Sequence, residues 1–398
     1  MLMGPLDPNE EFRARRRRAR RRRGFRRLAV LGIVVVAAAG VALGASFLGG
    51  DGESASNGRS EERKGQAAAS EAEPKPEPRP LPDEIRGVHV TMALASLDGK
   101  LEEYYGLAAQ GLNTLQLDVK DENGEVAFSK PRVPLAASIG AARTYYDPRA
   151  VVREARERGL YVVGRVVVFE DPVLSQQRPA LAIQRAGGGV WTTSSGLGWT
   201  NPYDEQVWKY NVDVALAAAK AGFDEIMFDY VRFPTDGDVE SAVYRPRVRE
   251  HRSATIARFL EYASARLGAV GVRTSAAVFG LTATRDMGIG QRPRRLAQHL
   301  DTIYPMVYPS HFGSGEYNLD DPNAQPGFTV ARALRDFRRV LRGHDTLIVP
   351  WLQDFSLGHT YTLRQVEEQV QAARDARARG YLLWNPSGVY TRGALRQS

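Results

Sequence analysis

Cysteine is absent from the 398-residue chain. Disulfides, thiolate nucleophiles and cysteine-based zinc sites are therefore excluded, while the redox compartment is left open. Histidine is scarce: His89, His251, His299, His311, His344 and His359 show no i, i+4 pairing and no flanking carboxylate motif, so no metal site is expected. No Walker loop, Gly-x-Ser-x-Gly elbow or kinase signature occurs. That argues against phosphoryl transfer and α/β-hydrolase chemistry, and no cofactor is implied. Most of the chain also lacks a charge excess. The net charge of +8 is carried before Leu28, by eleven arginines against Asp7, Glu10 and Glu11, and the remaining 371 residues balance at 43 basic and 43 acidic. A nucleic-acid partner is not expected from such a balance.

Long hydrophobic runs are also missing, with one exception. Leu28 to Leu48 is uncharged over 21 residues, enough to cross the bilayer hydrocarbon at about 1.5 Å per residue. The arginine block directly before it predicts a cytoplasmic N-terminus, a single transmembrane signal-anchor helix, and everything after Leu48 outside the cell. A cleaved signal peptide competes with this reading, because Ala42 to Ser46 offers small residues where a peptidase would cut. From Gly49 to Pro82 the composition turns to Gly, Ser, Ala, Glu and Pro, closing on Glu73-Pro-Lys-Pro-Glu-Pro-Arg-Pro80. Such a segment favours extended polyproline II and buries no core. The expected organisation is an Arg-rich cytoplasmic tail (1–27), a membrane helix (28–48), a linker (49–82) and one folded domain (83–398).

Beyond Ile85 short β-branched runs alternate with amphipathic helical stretches, and eight such units can be counted. The strands read as Arg86 to Thr91, Thr114 to Val119, Tyr161 to Val168, Glu225 to Tyr230, Thr274 to Phe279, Thr302 to Tyr308, Thr346 to Trp351 and Tyr381 to Trp384. Gly111, Gly159, Gly222 and Gly380 read as left-handed helix stops before the next strand. This pattern predicts an α/β fold of the (β/α)8 TIM-barrel class, with a doubly wound open sheet as the competing architecture. The longest connection, Glu170 to Asp204, carries Trp191, Trp199 and a Gly187-Gly-Gly run, and is expected to fold over the barrel mouth.

In such a barrel the strand C-termini converge on one face. Strand four reads Ile226-Met-Phe-Asp-Tyr-Val-Arg-Phe-Pro234, and a period of two puts Met227 and Asp229 on one face. An Asp ending an apolar strand is costly to bury without partners, which marks Asp229 as a catalytic candidate, with Arg232 placed to pair with it or with a ligand. In strand two, Gln116, Asp118 and Lys120 share a face. Asp118 reads equally as a catalytic carboxylate and as half of an ion pair with Lys120 or Arg165 inside the barrel. Glu170, Asp171 and Asp354 are candidates for a second carboxylate. Glycosidic bond cleavage needs two, one protonated for the leaving group and one acting as nucleophile or as base for water. His89, Lys120, Arg165, Arg232, Tyr308, Trp351, Trp384 and Asn385, at or near strand ends, are the candidate substrate contacts, the aromatic ones as faces for sugar rings.

Four stretches carry a family resemblance: Arg86-Gly-Val-His-Val-Thr91, Leu117-Asp-Val-Lys-Asp-Glu-Asn-Gly124, Gly198-Trp-Thr-Asn-Pro202 and Phe228-Asp-Tyr-Val-Arg-Phe-Pro234. Over Ile85 to Tyr390 the chain resembles a bacterial family of glycoside-hydrolase-like TIM-barrel domains, first catalogued as a domain of unknown function. The resemblance implies a barrel and a hydrolase of glycosidic bonds with a polysaccharide or oligosaccharide as partner. Asp229 matches the fourth-strand Asp that is the commonest catalytic carboxylate in related barrel glycosidases. The glutamate that some of them place at the end of strand five has no counterpart in Ala276-Ala-Val-Phe-Gly280, which leaves the general acid unassigned. That departure motivates the alternative of a non-catalytic carbohydrate-binding or envelope-scaffold protein on a degenerate barrel.

Overall fold

The computed structural model describes residues 76–246 and 248–396. The Leu28 to Leu48 run lies outside them, and among the described residues no helix is long and apolar enough to cross a membrane.

Eight parallel strands form a closed ring: β1 (Ile85–Val90), β2 (Thr114–Lys120), β3 (Tyr161–Val167), β4 (Glu225–Asp229), β5 (Arg273–Phe279), β6 (Thr302–Met306), β7 in two pieces (Leu347–Ile348 and Trp351–Gln353) and β8 (Gly380–Trp384). Each pairs with the next, and β8 closes on β1 with Ile85 opposite Gly380 and Val88 opposite Leu383. The open doubly wound sheet is thereby excluded. Between the strands run the helices α1 (Lys100–Gly106), α2 (Pro148–Glu157), α3 (Glu205–Ala221), α4 (Arg252–Gly268), α5 (Pro293–Leu296), α6 (Pro326–Val340) and α7 (Leu363–Asp375). The split in β7 falls at Val349-Pro350, where proline has no N–H to give a ladder.

The strands read as apolar on both faces because each side is covered, by helices outside and by the barrel's own filling inside. All seven residues of β3 are buried, as are all of β2. Gly222 closes α3 in the left-handed conformation at φ 108°, as its position after an Ala-rich helix predicts. Gly380 does something different from the expected helix stop. Helix α7 ends at Asp375, Arg377 takes the left-handed turn at φ 50°, and Gly380 opens β8 at φ 133°. A Cβ there would lie 2.0 Å from the Ile85 carbonyl oxygen, so glycine is required by the close approach of β1.

At the N-terminal end of the ring, polar groups are paired off. Asp224 accepts from Val162 N at 2.8 Å, binds Arg79 at 3.0 Å and pairs with Arg156, so the segment before β1 is tied to the barrel's underside. Inside, Tyr304 and Tyr161 donate to Glu225 at 2.8 and 3.2 Å, and burial pushes this carboxyl up from its ordinary value.

The long 170–204 connection pairs with the segment after β4. Gln184–Arg185 pairs antiparallel with Ala242–Val243, Trp191 donates to the Asp238 carbonyl at 2.7 Å, and Trp199 packs edge-on to Tyr230. The two connections thus form a joint layer next to the end of β4.

Candidate active site

The strand period delivers His89, Asp118, Arg165, Asp229, Trp351 and Trp384, from β1, β2, β3, β4, β7 and β8, to the C-terminal end of the barrel interior. Arg165, from β3, stands between β2 and β4 and joins their acids. Its Nη1 is 2.7 Å from Asp118 Oδ1 and 3.6 Å from Glu122 Oε2, while its Nε and Nη2 lie 2.8 and 2.7 Å from Asp229 Oδ2. Burial opposes the guanidinium's charge, but Asp229 and Asp118 more than restore it.

Asp229 is 4% exposed, on the floor of the mouth rather than at an open rim. Its other oxygen, Oδ1, accepts from Tyr230 N at 2.7 Å. Both oxygens thus act as acceptors. Tyr230 adopts φ 50°, unusual for a bulky residue, and this turn is what brings its N–H back onto Asp229. The expected pairing of Asp229 with Arg232 does not form. Arg232 instead bonds the Phe233 carbonyl at 3.1 Å and Thr235 at 3.3 Å, boxed by the rings of Trp199, Tyr230 and Phe279 at 5.1, 5.0 and 4.7 Å.

Of the two readings of Asp118, the ion pair inside the barrel is present, and its partner is Arg165. Lys120 leaves the shared face. A register shift between Asp118 and Lys120 turns it outward between the strands and α3, where it is fully buried against Asp171 at 2.8 Å, Asn211 at 2.9 Å and the Val167 carbonyl at 2.8 Å. Lys120 is therefore removed from the candidate substrate contacts. Asp171 spends its second oxygen capping the 172–177 helix through Leu174 N at 2.8 Å.

His89 meets Gln116 Oε1 through Nδ1 at 2.9 Å, and its Nε2 lies 3.6 Å from Asp118. With Gln116 donating its amide to Met227 Sδ at 3.1 Å, the carbonyl faces the ring, so Nδ1 carries the proton and Nε2 faces the acid. Burial holds the His89 pKa below its ordinary value.

The proposed acids fare differently. Asp354 accepts twice from Thr391, at 2.7 Å from N and 2.6 Å from Oγ1, and clamps the segment after β8, with burial pushing its carboxyl up. Asn385 belongs to the same clamp, donating to the Asp354 carbonyl and accepting from Ser387 N at 2.8 Å. Glu170 has no exposed surface, and its backbone bridges to Trp199. Glu122, by contrast, lies within ion-pair reach of Arg165.

Opposite the acids stands an aromatic wall. Tyr308 lies 5.5 Å from Trp384 and 5.9 Å from Phe355, and Trp351 is 5.8 Å from His89. The Tyr308 hydroxyl and the Trp351 indole N–H find no hydrogen-bond partner among the described residues, although both side chains are buried. Burial, and then the Asp229 charge, push the Tyr308 hydroxyl well above its ordinary value. Buried donors without partners are uncommon and ask for a ligand or solvent.

Residues 87–390 match the family described as a putative glycosyl hydrolase domain, most of the chain. The chain belongs to this family. A hypothetical protein from Ruminiclostridium thermocellum ATCC 27405 is 34% identical over 48% of this chain and 96% of that one, at a TM-score of 0.44. The PgaB (BpsB) glycoside hydrolase domain from Bordetella bronchiseptica is 13% identical, covering 79% of this chain and 99% of its own at a TM-score of 0.56. The catalytic domain of a beta-amylase from Paenibacillus polymyxa is 10% identical, covering 80% and 96% at 0.51. At such identities these last two speak for the fold. No curated protein matches.

Within this family member, sequence reasoning missed Glu122 and Tyr146 as parts of the site. Tyr146 donates to the Asp118 carbonyl at 2.8 Å and holds the β2 end in place. Glu122 was visible in Asp118-Val-Lys-Asp-Glu-Asn-Gly124, but only the Asp121 turn explains its position. Asp121 gathers Asn123 N and Glu125 N at 3.0 and 3.1 Å and folds the loop back toward Arg165, its own carboxyl pushed up to about 7 by burial and then by Glu122.

Proposed function

We propose that this barrel hydrolyses glycosidic bonds in an extracellular or cell-envelope polysaccharide. The observation that carries the reading is Asp229, oriented through both oxygens by Arg165 and Tyr230 N–H at the barrel's C-terminal end, where the buried Tyr308 hydroxyl and Trp351 N–H have no partner among the described residues. An acceptor-only carboxylate suits a nucleophile at the anomeric carbon, or a base for water, and its negative charge opposes the positive charge that develops there. Glu122 is our choice for the acid that protonates the leaving oxygen, ahead of Glu170 and Asp354. It reaches the same guanidinium, while Asp354 is spent on Thr391 and Glu170 is wholly enclosed. Tyr308, Trp351, Trp384 and His89 would contact the sugar. The Leu28 to Leu48 run would tether the domain to the membrane's outer side, with the arginine block inside.

The test is to challenge the full chain with a panel of envelope and exopolysaccharide glycans and to follow new reducing ends. Cleavage that falls at least about 10³-fold in Asp229→Asn, with folding retained, supports the assignment. Undiminished turnover by that variant rejects it. A second reading has its own observation in favour: Asp229 is closed onto Arg165 and barely exposed, as in a barrel that binds glycans without cutting them. Tight binding of a glycan by both wild type and Asp229→Asn, with no reducing ends from either, favours that reading.

A further inference from the structure

Away from the mouth, the outer face of helix α6 is unlike that of its neighbour α7. Over residues 326–342 the chain carries five arginines, Arg332, Arg335, Arg338, Arg339 and Arg342, against a single acid, Asp336. Helix α7 instead sets Arg364 and Arg374 against Glu367, Glu368 and Asp375. Beyond residue 27 the chain has no net charge, so the excess on α6 is a local concentration.

The spacing orders these side chains. Phe328, Arg332, Arg335, Arg339 and Arg342 follow one another at steps of four and three residues, the repeat that keeps side chains on one face of an α-helix. The opposite face, with Val330, Ala333, Leu334 and Phe337, is buried in the barrel wall. Phe328 is 44% exposed, Arg335, Arg339 and Arg342 are exposed, and the Arg332 guanidinium lies 5.2 Å from the Phe328 ring. Asp336 offsets Arg339 at 3.0 Å, whereas Arg335 and Arg342 have no ion pair among the described residues. Arg338 turns aside to the Ala376 carbonyl. Helix α6 begins after the β6 loop that holds Tyr308, at the mouth end of the barrel, and runs back toward the start of β7. The stripe thus opens at the mouth end with an aromatic ring and continues with arginines for about 21 Å.

An exposed ring followed by a line of guanidinium groups suits a sugar chain that bears carboxylates: the ring takes a sugar face, and each guanidinium fork binds a carboxylate through two hydrogen bonds. A line that leads away from the mouth suits a strand reaching out of the site better than a plane of lipid headgroups. We infer that the outer face of α6 is a secondary binding surface for the polymer, and that the polymer is an acidic polysaccharide whose strand runs from the mouth along this stripe. The inference rests on the mouth being the glycan site, but it concerns where the strand lies, separately from whether a bond is cut.

Binding and cleavage are therefore measured apart. The full chain is labelled with phenylglyoxal at about pH 8, where uronates are ionised, and each arginine is read by mass spectrometry. Reading single sites keeps the eleven arginines before Leu28 apart from the stripe. Polygalacturonate should slow the labelling of Arg335, Arg339 and Arg342 severalfold relative to the exposed Arg149 and Arg153 of α2, dextran should not, and the protection should fade in high salt. Equal labelling with and without polygalacturonate overturns the inference, as does equal protection by dextran. Protection by phosphatidylglycerol nanodiscs but not by polygalacturonate also overturns it, since the stripe would then be a lipid contact. Where an acidic polymer is cleaved, the variant combining Arg335→Gln, Arg339→Gln and Arg342→Gln should raise its KM about tenfold, as the loss of three exposed ion pairs implies, and leave kcat on a short oligosaccharide unchanged. An unchanged KM overturns the inference. Protection of the stripe without new reducing ends would reject hydrolysis and leave the binding surface standing.

Discussion

The two ends of the barrel interior hold similar residues in opposite states. At the N-terminal end Glu225 accepts from two tyrosines, and Asp224 is matched by two arginines and a backbone N–H. At the C-terminal end three acids share Arg165, while Tyr308 and Trp351 keep donors unused among the described residues. The first set is closed on itself and serves the fold. The second leaves buried donors open among the described residues, at the end of a (β/α)8 barrel where chemistry is done.

Removing the hub of the upper set should have the largest effect. Arg165→Met leaves Asp118 and Asp229 buried without their cation, a loss of roughly 3–5 kcal/mol for a broken buried pair, and it releases Asp229 from its orientation. Chemical denaturation and a reducing-end assay should both show deep losses. A fully active Arg165→Met would mean that the cluster does not organise the reaction. Next in size is Lys120→Met, which strands Asp171 beside Asn211 and should also cost about 3–5 kcal/mol. Because Lys120 lies outside the mouth, activity per folded molecule should stay near wild type, and a selective loss of turnover would return Lys120 to the site.

How much of this could be read from the sequence differs between these two residues. Arg165 interrupts a β-branched run, and an arginine inside a barrel strand needs acids close by, so its pairing with Asp118 was among the readings available. Lys120 has the same period as Asp118, but a one-residue register shift moved it to the other face, and nothing in Leu117-Asp-Val-Lys-Asp announces a bulge. All eight strands were legible because parallel strands buried on both sides give continuous apolar runs; their ends moved by a residue or two. The partners of Asp354 and Asn385 lie in a tail segment at Thr391 and Ser387, and such local clamps leave no periodic trace. Gly198-Trp-Thr-Asn-Pro202 proved to be scaffolding, with Trp199 supporting Arg232 and Asn201 donating to the Arg245 carbonyl at 3.0 Å.

A finer probe of the unfinished end is Tyr308→Phe. It deletes a hydroxyl that meets no partner among the described residues, so stability should hold or rise slightly, while glycan affinity should fall by about threefold to tenfold for one lost hydrogen bond of ~0.5–1.5 kcal/mol. A drop in melting temperature with affinity unchanged would show that the hydroxyl serves the fold, and the contrast between the two ends would fail at that residue.

The smallest effect is expected at the closed end, and its sign is set by Glu225. Burial raises this carboxyl's pKa in the folded state, so between the unfolded and folded values the native protein holds a proton that the unfolded chain has lost. The contribution to stability is complete below the ordinary glutamate range and is lost as pH rises through the folded value. Glu225→Gln keeps an oxygen for a tyrosine hydroxyl and removes the titration. Melting temperature plotted against pH should therefore slope less steeply downward above the glutamate range in the variant than in the wild type, while cleavage at the far end of the barrel is unchanged. Asp121, pushed up to about 7 by burial, acts in the same direction in both proteins and leaves a residual slope. Identical slopes would mean that Glu225 stays ionised in the fold, with Tyr161 and Tyr304 outweighing its burial.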